Sequence, residues 1–175
     1  MSDPSDIPTP FELPQAVVIP EWIDHNGHMN VANYLRAFDT AADALGTRMG
    51  LSREYKRRTN SATFIGDVHI AYRREVREGD RLRFTGRIVA CDAKRVHYWL
   101  EMFHADEGYL AATAEFLELH IDMSVRRVAP MPPDILKGIE AVRDAHAVLP
   151  LPEGLGKVIH VPGGASPVAG SPTPD

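Results

Sequence analysis

The chain has little of what several common functions need. It contains a single cysteine, Cys91, so no intramolecular disulfide can form. No Cys-x-x-Cys pair and no Cys/His ligand spacing accompanies it, which argues against a structural zinc site. Basic charge is scarce as well: 19 Lys and Arg stand against 24 Asp and Glu, a net charge of -5. Nucleic-acid binding needs a basic face for the phosphates, and none is visible here. The nearest cluster, Lys56-Arg57-Arg58, reads as a solvated loop after a helix. No apolar run approaches the roughly 18 residues of a membrane span. The opening residues, MSDPSDIPTPFELP, lack the basic and apolar regions of a secretory leader, so a cytoplasmic location is expected.

What is present fits one globular domain. The 175 residues are enough for one real core and short for two. Residues 1–14 are rich in Pro, Asp and Ser and read as a flexible arm. Residues 149–175 are rich in Pro and Gly and cannot bury enough apolar surface to offset their ordering entropy, so a tail disordered from about Gly163 is expected. The domain proper is expected over residues 15–148, with no internal repeat.

Within it the hydrophobic period changes twice. Gln15–Ile19 is a short β-rich run closed by Pro20. In residues 31–49 the apolar positions Ala32, Leu35, Phe38, Ala42, Leu45 and Met49 step by three and four, which predicts one helical face. Asn30 is a good N-cap for it, and Gly50 a good C′ residue. Four segments of period two follow: Ser61–Val76, the run from Leu82 to Ala90, the run from Val96 to His104, and Tyr109–Met123. The intervening turns fall at Glu78-Gly79-Asp80, Cys91-Asp92-Ala93-Lys94 and Glu107-Gly108. Pro132–Ala147 reads as a second amphipathic helix, with Pro133 in its first turn. The order predicts an α+β domain: one long helix against a curved antiparallel sheet. The uncovered face and edges of that sheet favour self-association.

Asp24-His25-Asn26-Gly27-His28-Met29-Asn30-Val31-Ala32-Asn33-Tyr34 resembles the Asp-x-x-Gly-His-x-Asn-x-x-x-Tyr signature of hotdog thioesterases of the 4-hydroxybenzoyl-CoA type. Tyr72-Arg73-Arg74-Glu75-Val76-Arg77-Glu78-Gly79-Asp80, Lys94-Arg95 and Leu110-Ala111-Ala112-Thr113-Ala114 continue the likeness in order. It covers roughly residues 15–133. Within the family the chain is most similar to betainyl-CoA thioesterases, through Pro20-Glu21-Trp22-Ile23-Asp24, Asn26-Gly27-His28-Met29-Asn30-Val31-Ala32 and His104-Ala105-Asp106-Glu107-Gly108-Tyr109. It departs from them at Asp67, where they tend to carry Glu two residues before the strand histidine, here His69.

The resemblance implies a hotdog fold, hydrolysis of a small acyl-CoA thioester, no cofactor and no metal, coenzyme A being part of the substrate. It implies a dimer or tetramer, with neither nucleic acid nor membrane as partner. Asp24, just ahead of a helix N-terminus, becomes the candidate general base or nucleophile. Free N–H groups near Val31 and Ala32 become candidate oxyanion donors. The competing role for Asp24 is to cap its own Asp-x-x-Gly turn. His28 is a candidate donor or a structural histidine, Asn30 a catalytic group or a cap. Gly27 serves a positive-φ turn or close ligand approach. Tyr34 is placed in the acyl pocket or the core. Trp22, Phe38 and Trp99 are candidate aromatic walls, and Asp67 a candidate carboxylate for a quaternary ammonium. Arg73, Arg74, Lys94 and Arg95 are candidates for the CoA phosphates. His97, His104 and His120 read as structural. The alternatives are a non-catalytic acyl-CoA-binding domain and a 3-hydroxyacyl thioester dehydratase of the same fold.

Overall fold

The computed structural model describes residues 7–159. The expected disorder beyond Gly163 lies outside them. Strand β1 (Phe11–Val17) leads through a single 3-10 turn, Pro20–Trp22, and a loop into helix α1 (Val31–Arg48). Helix α2 (Arg53–Thr59) follows, then β2 (Ser61–Tyr72), β3 (Arg81–Cys91), β4 (Arg95–His104), β5 (Leu110–Asp122), β6 (Arg127–Val128) and α3 (Pro133–His146). The strands form one antiparallel sheet in the order β1-β3-β4-β5-β2, with β6 on β5. The sheet curls around α1, which is the α+β hotdog arrangement expected.

Helix α1 begins where the Asn30 side chain accepts from the Ala32 N–H and stops as Gly50 turns to a positive φ of 83°. Its core stripe is Tyr34, Ala37, Phe38, Ala41, Ala42, Leu45 and Met49. This differs by one helical row from the expected face: Ala32 and Leu35 are exposed, and Tyr34 and Ala37 take their place. Opposite the helix, Leu82, Phe84, Ile88, Leu100 and Met102 close the core, and Phe38 meets Phe84 edge-on at 5.9 Å. Each such side chain contributes roughly 1.5–3 kcal/mol by leaving water. A Cβ on Gly86 would meet Leu13 and Leu100 side chains at 2.9 Å, so this position lets the helix side of the sheet close tightly. Helix α1 lies mainly over β1, β3 and β4, and the short helix α2 lies against β2.

Three boundaries differ from the sequence expectation, each for a local reason. The flexible arm was expected through residue 14, yet β1 starts at Phe11, because Phe11 and Leu13 are 5% exposed and pair with Gly86 and Phe84. Pro14 is tolerated there because β1 is an edge strand with a register shift between Leu13 and Ala16. Lys56-Arg57-Arg58 is helical, inside α2, which is fixed by the Ser52 cap and by Asn60 in the left-handed region rather than by any apolar period. Strand β2 ends at Tyr72, short of Val76, because the N–H groups of Arg73 and Arg74 both turn onto the Ala111 carbonyl. The described part of the tail, residues 149–159, lies on the outer face of the sheet. The Arg87 guanidinium donates to the Pro150 carbonyl at 2.6 Å, and the Gly156 N–H donates to Glu115 at 2.8 Å.

Candidate active site

The loop before α1 is held almost entirely by its own backbone. Ile23 bridges Met29, the Asp24 N–H donates to the His28 carbonyl, and the Gly27 N–H donates back to the Asp24 carbonyl at 3.0 Å. Gly27 has a φ of 79° and open space where a Cβ would stand. The turn therefore needs glycine for its backbone, and no close approach is involved. The ends are tied down by the Met29 N–H on the Val76 carbonyl, and by the Asn30 N–H and the Asn33 side chain on the Trp22 carbonyl. A seven-residue loop so fastened presents its side chains in fixed directions.

Asp24 is half-buried. Its Oδ1 accepts the Asn26 N–H at 2.8 Å, so the turn-capping role is real. Its Oδ2 has no partner among the described residues, so capping leaves one oxygen unspent. At the helix N-terminus the Asn30 side chain takes the Ala32 N–H at 2.9 Å, and the Asn30 carbonyl takes the Asn33 N–H. The expected pair of free donors is thus reduced to one, the Val31 N–H, for which no acceptor is found among the described residues.

Asp24, His28, Met29, Val31, Tyr34, Tyr72, Arg73, Arg74 and Glu75 line one recess. Tyr34 and Tyr72 meet edge-on at 5.1 Å, and the Tyr72 hydroxyl donates to the Val31 carbonyl at 3.3 Å. Burial pushes both phenols up, so they stay neutral donors. Tyr34 is both a core residue and a wall of the recess. His28 Nδ1 lies 3.4 Å from the Met29 carbonyl, which leaves the ring turned along the recess. At the rim, Arg74 stacks over the Tyr109 ring at 3.9 Å and reaches Glu107 at 3.7 Å, while Arg73 has no acidic partner among the described residues. The guanidinium of Arg77, hydrogen-bonded to Glu75 at 2.7 Å, holds that carboxyl below the usual range.

The other expected residues stand elsewhere. Phe38 is fully buried in the core and cannot wall an open pocket. Trp22 packs against the core, with its Nε1 buried and without a partner among the described residues. Trp99 and Asp67 are on the opposite face of the sheet. Trp99 lines a recess there with Thr85, Arg87, Glu101 and the tail at Leu149 and Pro150. Asp67 lines another with His69, His97 and Glu115. The register shift between Ile65 and Asp67, at Gly66, turns Asp67 outward. Lys94 and Arg95 lie in the β3–β4 turn, at the far end of the sheet from Asp24, where Arg95 pairs with Asp92 at 2.6 Å. The three strand histidines have internal partners: Glu115 for His97, Asp80 and the Glu107 N–H for His104, Tyr55 for His120.

Sequence reasoning missed Tyr72 and Glu75 as lining residues. Both belong to the Tyr72–Asp80 block, and the sharp end of β2 is what swings that block over the helix N-terminus.

Comparison with known proteins bears on the family and the fold. The profile of the thioesterase-like superfamily matches residues 18–139. Betainyl-CoA thioesterase of Pseudomonas aeruginosa is 35% identical over 158 residues, 90% of this chain and 98% of that protein. The L-carnitine dehydrogenase/betainyl-CoA thioesterase of Rhizobium meliloti is 30% identical over 152 residues, and there the match spans 87% of this chain but only 30% of the larger protein. A Staphylococcus aureus protein solved in complex with CoA superposes with a TM-score of 0.81 at 29% identity, covering 87% of this chain and 96% of that one. The chain belongs to the thioesterase-like superfamily, as a hotdog domain for acyl-CoA thioester hydrolysis.

Proposed function

We propose that the protein hydrolyses betainyl-CoA to betaine and CoA, with Asp24 and the Val31 N–H as the reacting machinery. The observation that carries this reading is the meeting, in one recess, of a carboxylate oxygen without a partner and an unspent helix N-terminal N–H. The names of both sequence relatives support the acyl group, and the CoA-bound neighbour supports the carrier.

In this mechanism Asp24 Oδ2 takes a proton from water, and the resulting hydroxide attacks the thioester carbonyl carbon. The carbonyl oxygen gains charge and accepts the Val31 N–H, aided by the positive end of the helix dipole. Collapse of the tetrahedral adduct breaks the C–S bond, and the departing thiolate takes the proton from Asp24. Water and protein groups suffice, so no cofactor enters. Arg73 and Arg74 at the rim are placed to meet the CoA phosphates.

The functional unit in this reading is a dimer joined along β2. That strand is an edge of 12 residues with Phe64, Ile65 and Tyr72 each more than 40% exposed, a template that soluble proteins rarely leave open. Lys94 and Arg95 then serve the partner's site. No helix among the described residues is long and apolar enough to cross a membrane, and the cytoplasm is the compartment this reading expects.

The test is thiol release from betainyl-, benzoyl-, 4-hydroxybenzoyl- and short straight-chain acyl-CoAs, by wild type and Asp24→Asn. Betainyl-CoA should lead the panel, and the variant should lose about 100-fold or more in kcat. Undiminished turnover by the variant would remove Asp24 from the mechanism. A folded protein that binds CoA and cleaves no thioester would be a binding module instead.

A further inference from the structure

The outer face of the sheet carries polar groups whose bonds are only partly spent. Thr85 on β3, Glu101 on β4 and Thr113 on β5 stand directly opposite one another across the strands. Beside them runs a second row, Arg87, Trp99 and Glu115. Glu115 is fully engaged, by His97 at 2.8 Å and by the Gly156 N–H at 2.8 Å. Glu101 is not. Its Oε2 accepts the Thr85 hydroxyl at 3.0 Å, and its Oε1 has no partner among the described residues. Trp99 and Thr113 are 4% and 2% exposed, yet the indole Nε1 and the hydroxyl also lack partners among the described residues.

Arg87 and Glu101 are diagonal neighbours on this face, a spacing of roughly 7–8 Å that long side chains can span. No ion pair joins them among the described residues. The Arg87 guanidinium turns instead to the Pro150 carbonyl, at 2.6 Å, and its other N–H groups find no acceptor among the described residues. Burial pushes its pKa down, and the Glu101 charge opposes this from a distance. Both charges line a recess of about 170 Å³, with Trp99 on the sheet side and Pro10, Leu149 and Pro150 as apolar walls. Pockets for drug-sized ligands run to roughly 300–1,000 Å³, so only a small molecule fits here.

The charges select its chemistry. Two half-buried opposite charges that do not pair cost free energy, and a ligand with the complementary charges recovers it. An anion alone would meet Glu101, and a cation alone would meet Arg87. A zwitterion satisfies both. A primary ammonium would bring three N–H donors to one unspent carboxylate oxygen, whereas methyl groups suit the apolar walls.

We propose that this recess is a second, non-catalytic site that binds a small trimethylammonium carboxylate. Glu101 and the Trp99 ring hold the cation, and Arg87 holds the carboxylate. Betaine, the product of the proposed hydrolysis, is such a molecule, and its choice as ligand rests on that reading. The recess shares no lining residue with that of Asp24.

The experiment is calorimetric titration of the full chain with betaine, with 3,3-dimethylbutanoate, which lacks the cation, and with tetramethylammonium, which lacks the carboxylate. Betaine should bind, and each half-ligand should bind about tenfold more weakly or worse. Glu101→Gln, which keeps an acceptor for Thr85, and Arg87→Gln should each weaken betaine by about tenfold or more. Trp22→Phe leaves Trp99 as the single tryptophan of the chain, so its emission should change as betaine is added. That measurement keeps the recess native, so it decides even where a recess variant fails to fold. No heat, or heat without a change in that emission, would overturn the proposal. Betaine binding untouched by both recess substitutions would place it in the Asp24 recess and overturn it as well. Equal affinity for 3,3-dimethylbutanoate would refute the cation site. Betainyl-CoA left uncleaved in the thiol-release panel would remove the hydrolysis reading, while the titration still decides the recess.

Discussion

Asp24 illustrates how one side chain answers two demands. Its turn needs an acceptor for the Asn26 N–H, and the proposed chemistry needs a free carboxylate oxygen; two oxygens satisfy both. Asp24→Asn keeps the acceptor and removes the base, which is why it should retain the fold while losing turnover. Glu118 shows the opposite economy, since the Thr63 hydroxyl and Lys56 offset its burial only in part. Burial raises its folded pKa above the ordinary 4.5, so the fold prefers the protonated form. The stability linked to it is present at low pH and is lost as pH rises through the folded value. Glu118→Gln is neutral throughout and should melt at a higher temperature than wild type near pH 8, with the gain shrinking towards pH 4.5. Melting curves across that range check it, and a gain independent of pH would show that the carboxylate carries no such penalty.

At the scale of elements, caps and ends matter more than apolar period. Helix α3 is held by His146, whose Nδ1 accepts the Ile88 N–H at 3.1 Å while Nε2 donates to the Pro8 carbonyl at 3.0 Å. Those two bonds require the neutral ring, and burial lowers the pKa from 6.5 accordingly. The linked stability is therefore complete above about 6.5 and is lost as pH falls through the lower, folded value. His146→Gln cannot titrate, so its melting temperature should fall less than that of wild type between about pH 7 and about pH 5. Parallel curves would count against His146 as a source of acid sensitivity. The Asn30 cap is worth about 1 kcal/mol to α1. Asn30→Ala should cost that much in chemical denaturation, and because the Ala32 N–H is then released beside Val31, it should also change kcat. A stability loss with kcat untouched would leave Asn30 as a cap alone.

At the scale of the whole molecule, the curled sheet ends at β2, whose outer edge pairs with no other strand among the described residues. Phe64, 42% exposed on β2, is inexpensive for a monomer to replace and costly for a dimer. Phe64→Asp should shift the protein to monomer in sedimentation velocity and lower thiol release with it. Activity retained by a monomer would place the whole site within one chain. The outer face is closed differently, by the tail on Arg87 and Glu115.

The sequence by itself determined the α+β class, the long helix, the four long strands, the Asn30 cap and the Asp24 loop. Each rests on periods, turns or caps that act over a few residues. It did not reveal α2, whose single apolar residue, Tyr55, makes no period, nor β1 from Phe11, whose composition reads as a loop. Only the tertiary structure decided which strand residues face the helix. A single register shift at Gly66 put Asp67 outside, and strand pairing put Glu118 inside, because a slip of one residue exchanges the two faces of a sheet. That choice depends on what lies across the sheet, which no local segment contains.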